Sequence, residues 1–173
     1  MAQWGRARPQ AVLGASSICH RSVLRFSLEP DSIPNGLPAT LDTSLDGEIT
    51  ETRPATIRVA FECTADDART FRFGYPCPFA DTVGVEENGS RLVLQYEAST
   101  ADRDRGCWQT GTLDERGVTE RRTFDPGSRA VVEWSVLNYA ENESCFPTGR
   151  YRFEDAYGVD GRTYEWGFCL RVR

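Results

Sequence analysis

Apolar and polar residues alternate with period two, in short runs bounded by turn residues, from Ala39 to the end of the chain. Ala39, Leu41, Thr43 and Leu45 alternate with Thr40, Asp42 and Ser44, which predicts a first strand. Ile57, Val59 and Phe61 alternate with Arg58, Ala60 and Glu62, which predicts a second. Phe71 with Phe73 marks a third, and Leu92, Leu94 and Tyr96 mark a fourth beyond the turn Asn88-Gly89. The charged run at 119–124 (TERRTF) reads as an edge strand, where solvated side chains discourage pairing with other chains. Asp125-Pro126-Gly127-Ser128 then turns the chain, Pro fixing φ and Gly accepting a positive one. Val132, Trp134 and Val136 define the next strand, and Tyr151 with Phe153 another. The last strand is the most regular. There Tyr164, Trp166, Phe168, Leu170 and Val172 alternate with Glu165, Gly167, Cys169, Arg171 and Arg173.

No segment of helical period separates these runs. The pattern therefore predicts one all-β, antiparallel sandwich of immunoglobulin-like type, with seven to eight strands over residues 39–173. Such a domain buries roughly two-thirds of its unfolded surface, enough for stability without a metal or cofactor. Residues 1–38 read differently, as a leader or disordered segment with a linker. Arg6 and Arg8 precede a mildly apolar stretch, Ala11 to Ile18, in the order of an export signal. Cys19 follows as a candidate lipid anchor, with Ile18 standing where such a signal wants a small residue. The Pro/Gly-rich run from Glu29 to Pro38 reads as the linker into the domain. No stretch has the length and apolarity of a transmembrane span.

Composition narrows the environment. All 20 basic residues are arginine, set against 26 acids, for a net charge of -6. A lysine-free, acidic surface fits a salt-adapted protein, in which hydrated carboxylates replace apolar lysine stems. A GC-rich genome writing arginine codons gives the same bias. The acidic balance argues against nucleic acid as a partner, because phosphate binding needs a basic patch. Arg121 and Arg122, with Arg116 nearby, form the densest basic group and read as a solvated edge face.

Six cysteines with one histidine and no C-x-x-C pair do not make a zinc site. Disulfides are the favoured reading, and they place the protein in an oxidising, extracytoplasmic compartment; buried free thiols would leave a cytoplasmic one open. If strands alternate in direction, those ending near Tyr96 and Val136 run toward one pole, so loops 98–118 and 138–148 are neighbours. These loops carry Cys107 and Cys145, which predicts a bridge between them. The same reasoning brings Cys63 near Cys169 as a second pair. Parity opposes that pair, since Cys63 is in phase with Ile57, Val59 and Phe61 whereas Cys169 is out of phase with Trp166 and Phe168. Asn88 and Asn142, each in an N-x-S tripeptide within a predicted loop, are candidate glycosylation acceptors.

Catalytic constellations are not legible. The single histidine, His20, lies in the leader, so no Ser/His/Asp set can form within the domain. Neighbouring acids that a glycosidase would need occur as Asp66-Asp67, Glu86-Glu87 and Glu154-Asp155, but 26 acids on a small domain guarantee such pairs. Asp102 and Asp104 match a fragment of a calcium loop whose intervening arginine repels a cation. Trp134 and Trp166 fall on inward parity. Trp108, beside Cys107, and Phe146, beside Cys145, are the candidate surface contacts.

The run F-D-P-G-S-R-A-V-V-E-W-S-V (Phe124 to Val136), followed by P-T-G-R-Y-R-F-E (Pro147 to Glu154) and a final alternating strand, resembles the C-terminal half of BsuPI-type proteinase-inhibitor domains. It is similar too to immunoglobulin-like domains of haloarchaeal envelope lipoproteins. The resemblance implies the same sandwich. The residues lead to a non-catalytic, exported binding or structural module of the cell envelope, whose partner is a protein or envelope component. The alternatives are a protease inhibitor presenting loop 138–148 and, more remotely, a carboxylate-based hydrolase.

Overall fold

The computed structural model describes residues 24–96, 102–104, 106–113 and 117–173. Among them there is no helix, and 12 strands join in one sheet. They are β1 (Phe26–Pro30), β2 (Ala39–Asp46), β3 (Thr56–Cys63), β4 (Arg69–Gly74), β5 (Val83–Val85), β6 (Arg91–Gln95), β7 (Asp102–Asp104), β8 (Cys107–Thr110), β9 (Thr119–Phe124), β10 (Arg129–Tyr139), β11 (Gly149–Val159) and β12 (Arg162–Val172). The hydrogen-bonded path runs β1-β12-β11-β5-β6-β10-β3-β2, and β4 branches from β11 to carry the edge strand β9. Pairings are antiparallel except that β8 runs parallel to β10, at Asn138 and Tyr139. The two ends of the path, β1 and β2, come side by side, with Phe26 against Gly47 just past β2. The sheet thus wraps into a nearly barrel-shaped body.

Period-two parity explains the packing. Ile57, Val59, Phe61 and Cys63 of β3 are all buried, while Arg58 between them is exposed. β10 repeats the rule, with Val132, Trp134 and Val136 buried. Phe61 meets the rings of Phe71, Phe73 and Phe124 at centroid distances of 4.9, 5.2 and 4.9 Å, which seals the β4–β9 branch against β3. Phe153, Phe168 and Phe79 form a second aromatic group under β11 and β12. Each fully buried aromatic of this kind contributes roughly 1.5–3 kcal/mol relative to an exposed one. Between β11 and β12, Asp160 and Gly161 both take positive φ (50° and 73°), the tight hairpin geometry that lets the two strands pair from Gly149–Val172 to Val159–Arg162.

The expected boundary at residue 39 falls inside the packed structure. Phe26–Pro30 pairs with Val172–Phe168 of β12, and Phe26, Leu28 and Ile33 pack against the core. A linker reading of Glu29–Pro38 missed this because Pro30 closes an edge strand, the one place in a sheet where a missing N–H costs little. The proposed leader and Cys19 lie outside the described residues. The 12 strands exceed the seven to eight expected, because β1 reads as linker and β5, β7 and β8 are too short to show an alternation.

Candidate functional site

The residues singled out around Cys107 and Cys145 converge at the end of β10. Asn138, 3% exposed, is the hub. Its Oδ1 accepts from Asn142 Nδ2 at 2.8 Å and from the Phe146 amide at 3.0 Å, and its Nδ2 donates to the Tyr139 carbonyl at 2.9 Å. Asn142 then acts like a short length of strand. It accepts from the Arg91 amide at 3.0 Å and donates to the Arg91 carbonyl at 2.7 Å, tying the loop to β6. Phe146 adopts φ 48°, which turns its ring inward onto Phe26 at 5.4 Å. Tyr151 closes the return into β11 by donating its hydroxyl to the Pro147 carbonyl at 2.7 Å. Burial, helped by the Glu86 charge, pushes that phenol up to about 12.

The Cys107–Cys145 bridge is present, with α-carbons 5.8 Å apart. The route to it differs from the expected one. β6 and β10 are antiparallel neighbours, so their ends point to opposite poles; Cys107 reaches Cys145 because β8 doubles back alongside β10. Trp108, next to the bridge, is half-buried against the core and donates its indole N–H to the Thr50 carbonyl at 3.0 Å. Phe146 is 3% exposed and is no surface contact. A buried aromatic closes this cap, and parity could not reveal it because the residue lies in a loop.

The second expected pair does not form: Cys63 and Cys169 are both free and buried. Parity decides against them. Cys63 points into the core, whereas Cys169 lies on the other face of β12, paired in register with Glu29 and Arg152. Asn88 is exposed in its turn and accepts from the Ser90 amide at 2.8 Å. Asn142 instead has its Nδ2 committed to Arg91 and Asn138, and a glycan there would displace one of those bonds.

Two polar clusters were not legible in the sequence. On the outer face of β1, β12 and β11, Asp31 accepts both Arg152 guanidinium nitrogens, at 2.8 and 2.5 Å, and the Gly167 amide at 3.1 Å. Glu29 bridges Arg150 and Arg171 beside it. The Arg152 hydrogen bond holds the Asp31 carboxyl below the usual carboxylate range. A depressed carboxylate stabilises the fold above its unfolded value, about 3.9, and loses that contribution as pH falls through the folded value. Asp31→Asn should therefore cost about 0.5–1 kcal/mol near pH 7, the scale of a partly exposed pair. Its difference from wild type in urea titrations should shrink as pH falls below the carboxylate range; a difference that persists at the acid end would assign the effect to packing.

The other cluster sits under the 75–82 segment. Asp81 accepts from the Glu154 amide at 2.7 Å, and Asp155 accepts from the Ala80 and Ala156 amides at 2.7 and 2.8 Å. Burial raises both carboxyls above their ordinary range. The Tyr157 hydroxyl is buried nearby without a hydrogen-bond partner, and burial with the Glu120 charge pushes the Cys77 thiol up to about 12. These carboxylates anchor the 75–82 segment to β11 through backbone amides. Of the acids noted as neighbours, Asp66, Asp67, Glu87 and Glu154 are exposed. Among the described residues no group of three His, Cys, Asp or Glu could hold a metal ion.

Comparison with family models, with curated proteins and with solved structures finds no match for this chain. Site chemistry alone therefore carries the functional reading.

Proposed function

We propose that this chain is a non-catalytic binding or structural module of immunoglobulin-like sandwich type, working outside the cytoplasm at the cell envelope. The observation that carries the reading is the state of loop 138–148. Asn138, Asn142, buried Phe146 and the bridge at Cys145 fold it down onto the sheet, whereas an inhibitor would hold it out, extended, for a protease. The sandwich reading is supported by Phe61 of β3 packing on Phe71 and Phe73 of β4 across the core, while β3 pairs with β10, β4 with β11 and β11 with β12, as the B–E and C–F–G strands do in immunoglobulin domains. Tyr151, whose hydroxyl reaches back to Pro147 at the entry to β11, has the form of the tyrosine corner of such domains.

A bridge in a small domain persists where the surroundings are oxidising, which supports export. The lysine-free, acidic composition is in keeping with a salt-rich setting. Protein taken from its own cells under denaturing alkylation should yield a non-reduced peptide pair joining Cys107 to Cys145, with Cys63, Cys77 and Cys169 alkylated. Recovery of Cys107 and Cys145 as alkylated thiols would remove the extracytoplasmic assignment.

A further inference from the structure

The outer face of the β4–β9 branch carries an unusual row. Arg121 on β9 lies directly opposite Arg72 on β4, Arg72 opposite Gly158 on β11, and Gly158 opposite Thr163 on β12. These four residues, with Arg162, line a cavity of about 290 Å³. Like charges placed directly opposite one another on neighbouring strands are destabilising. A chain with 26 acids had ample means to neutralise the pair. Six arginines elsewhere, Arg53, Arg69, Arg129, Arg150, Arg152 and Arg171, each meet a carboxylate. Among the described residues no ion pair involves Arg72, Arg121 or Arg162, and the acid lining this cavity, Asp160, is 3.8 Å from Arg69.

Two further features suit a ligand. Gly158 leaves room for a guanidinium to lie across the sheet: a Cβ there would stand 3.2 Å from Arg72 Nε. In the next row Thr70 and Thr123 face each other with hydroxyls 2.8 Å apart, and Thr70 lines the same cavity, adding neutral donors beside the charged ones.

We propose that this row is a binding site for a tetrahedral oxyanion, phosphate or sulfate, held between Arg72 and Arg121. Paired guanidinia offer forked, charge-assisted donors whose geometry matches such a group, and the anion relieves their mutual repulsion. Arg162 and Thr70 also line the cavity, and four donor side chains suit an ion with more acceptor oxygens than a carboxylate has. The inference goes beyond the module reading, because it holds whether or not the protein is exported.

The test is a titration of the 15N-labelled full chain with inorganic phosphate, sulfate and glycerol phosphate, against chloride at matched ionic strength. Saturable amide shifts should be centred on Gly158 and Thr163, and the Arg72→Gln/Arg121→Gln double variant should bind at least tenfold more weakly. Glycerol phosphate binding as well as inorganic phosphate assigns the site to a phosphate borne on a larger molecule; inorganic ions binding alone assigns it to the free ion. Thermal unfolding in low salt without the anions keeps the variant informative, since losing the repulsion should raise its midpoint. Shifts that chloride reproduces, binding undiminished in the double variant, or a lowered midpoint would each overturn the proposal.

Discussion

Replacing Phe61 with alanine is expected to cost about 3–5 kcal/mol, the range for truncating a buried aromatic, measured as a loss in urea midpoint at unchanged slope. Phe61 is 1% exposed on β3 and meets three rings, Phe71, Phe73 and Phe124, which belong to β4 and β9. Among the described residues β9 pairs only with β4, and β4 pairs in register with the rest of the sheet only at Gly158 of β11. The branch is therefore held to β3 by aromatic packing across the core. Its truncation leaves a cavity that backbone hydrogen bonds cannot collapse. Phe61→Leu should cost much less, because it refills most of that volume. A loss below about 1 kcal/mol for Phe61→Ala would mean that the branch packs without this residue.

Removing the bridge by Cys107→Ser with Cys145→Ser is expected to cost about 4 kcal/mol, within the usual 2–5, on the chain-entropy estimate for its 38-residue separation. The double variant should still fold. Asn138 and Asn142 hold the loop through five hydrogen bonds of their own, and Phe146 remains buried. Reduction of the wild-type protein should reproduce the loss and leave the double variant unchanged. Equal stability of wild type and variant would show that these hydrogen bonds, rather than the bridge, define the cap.

The all-β class and most strands were legible because period-two alternation is local. A residue two places along points the same way, so Ile57, Val59 and Phe61, or Trp166, Phe168 and Leu170, declare a buried face without reference to any partner. The same parity correctly opposed a Cys63–Cys169 bridge. Loops carry no such period, and there the reading failed at Phe146, whose inward turn depends on φ 48° and on the Phe26 ring, 120 residues earlier in the chain.

The sequence by itself determined an all-β chain, its inward faces and the edge character of 119–124, and it named Cys107 and Cys145 as partners by a strand order that the structure replaces. The tertiary structure alone decided which strands neighbour one another, and with them the direction of β6 against β10, the incorporation of Phe26–Pro30 and the row from Arg121 to Thr163. The division has one physical cause. Side-chain direction along a strand follows from bonds within that strand, whereas pairing between strands is chosen by the total burial of the closed sheet, to which residues far apart in the chain contribute together.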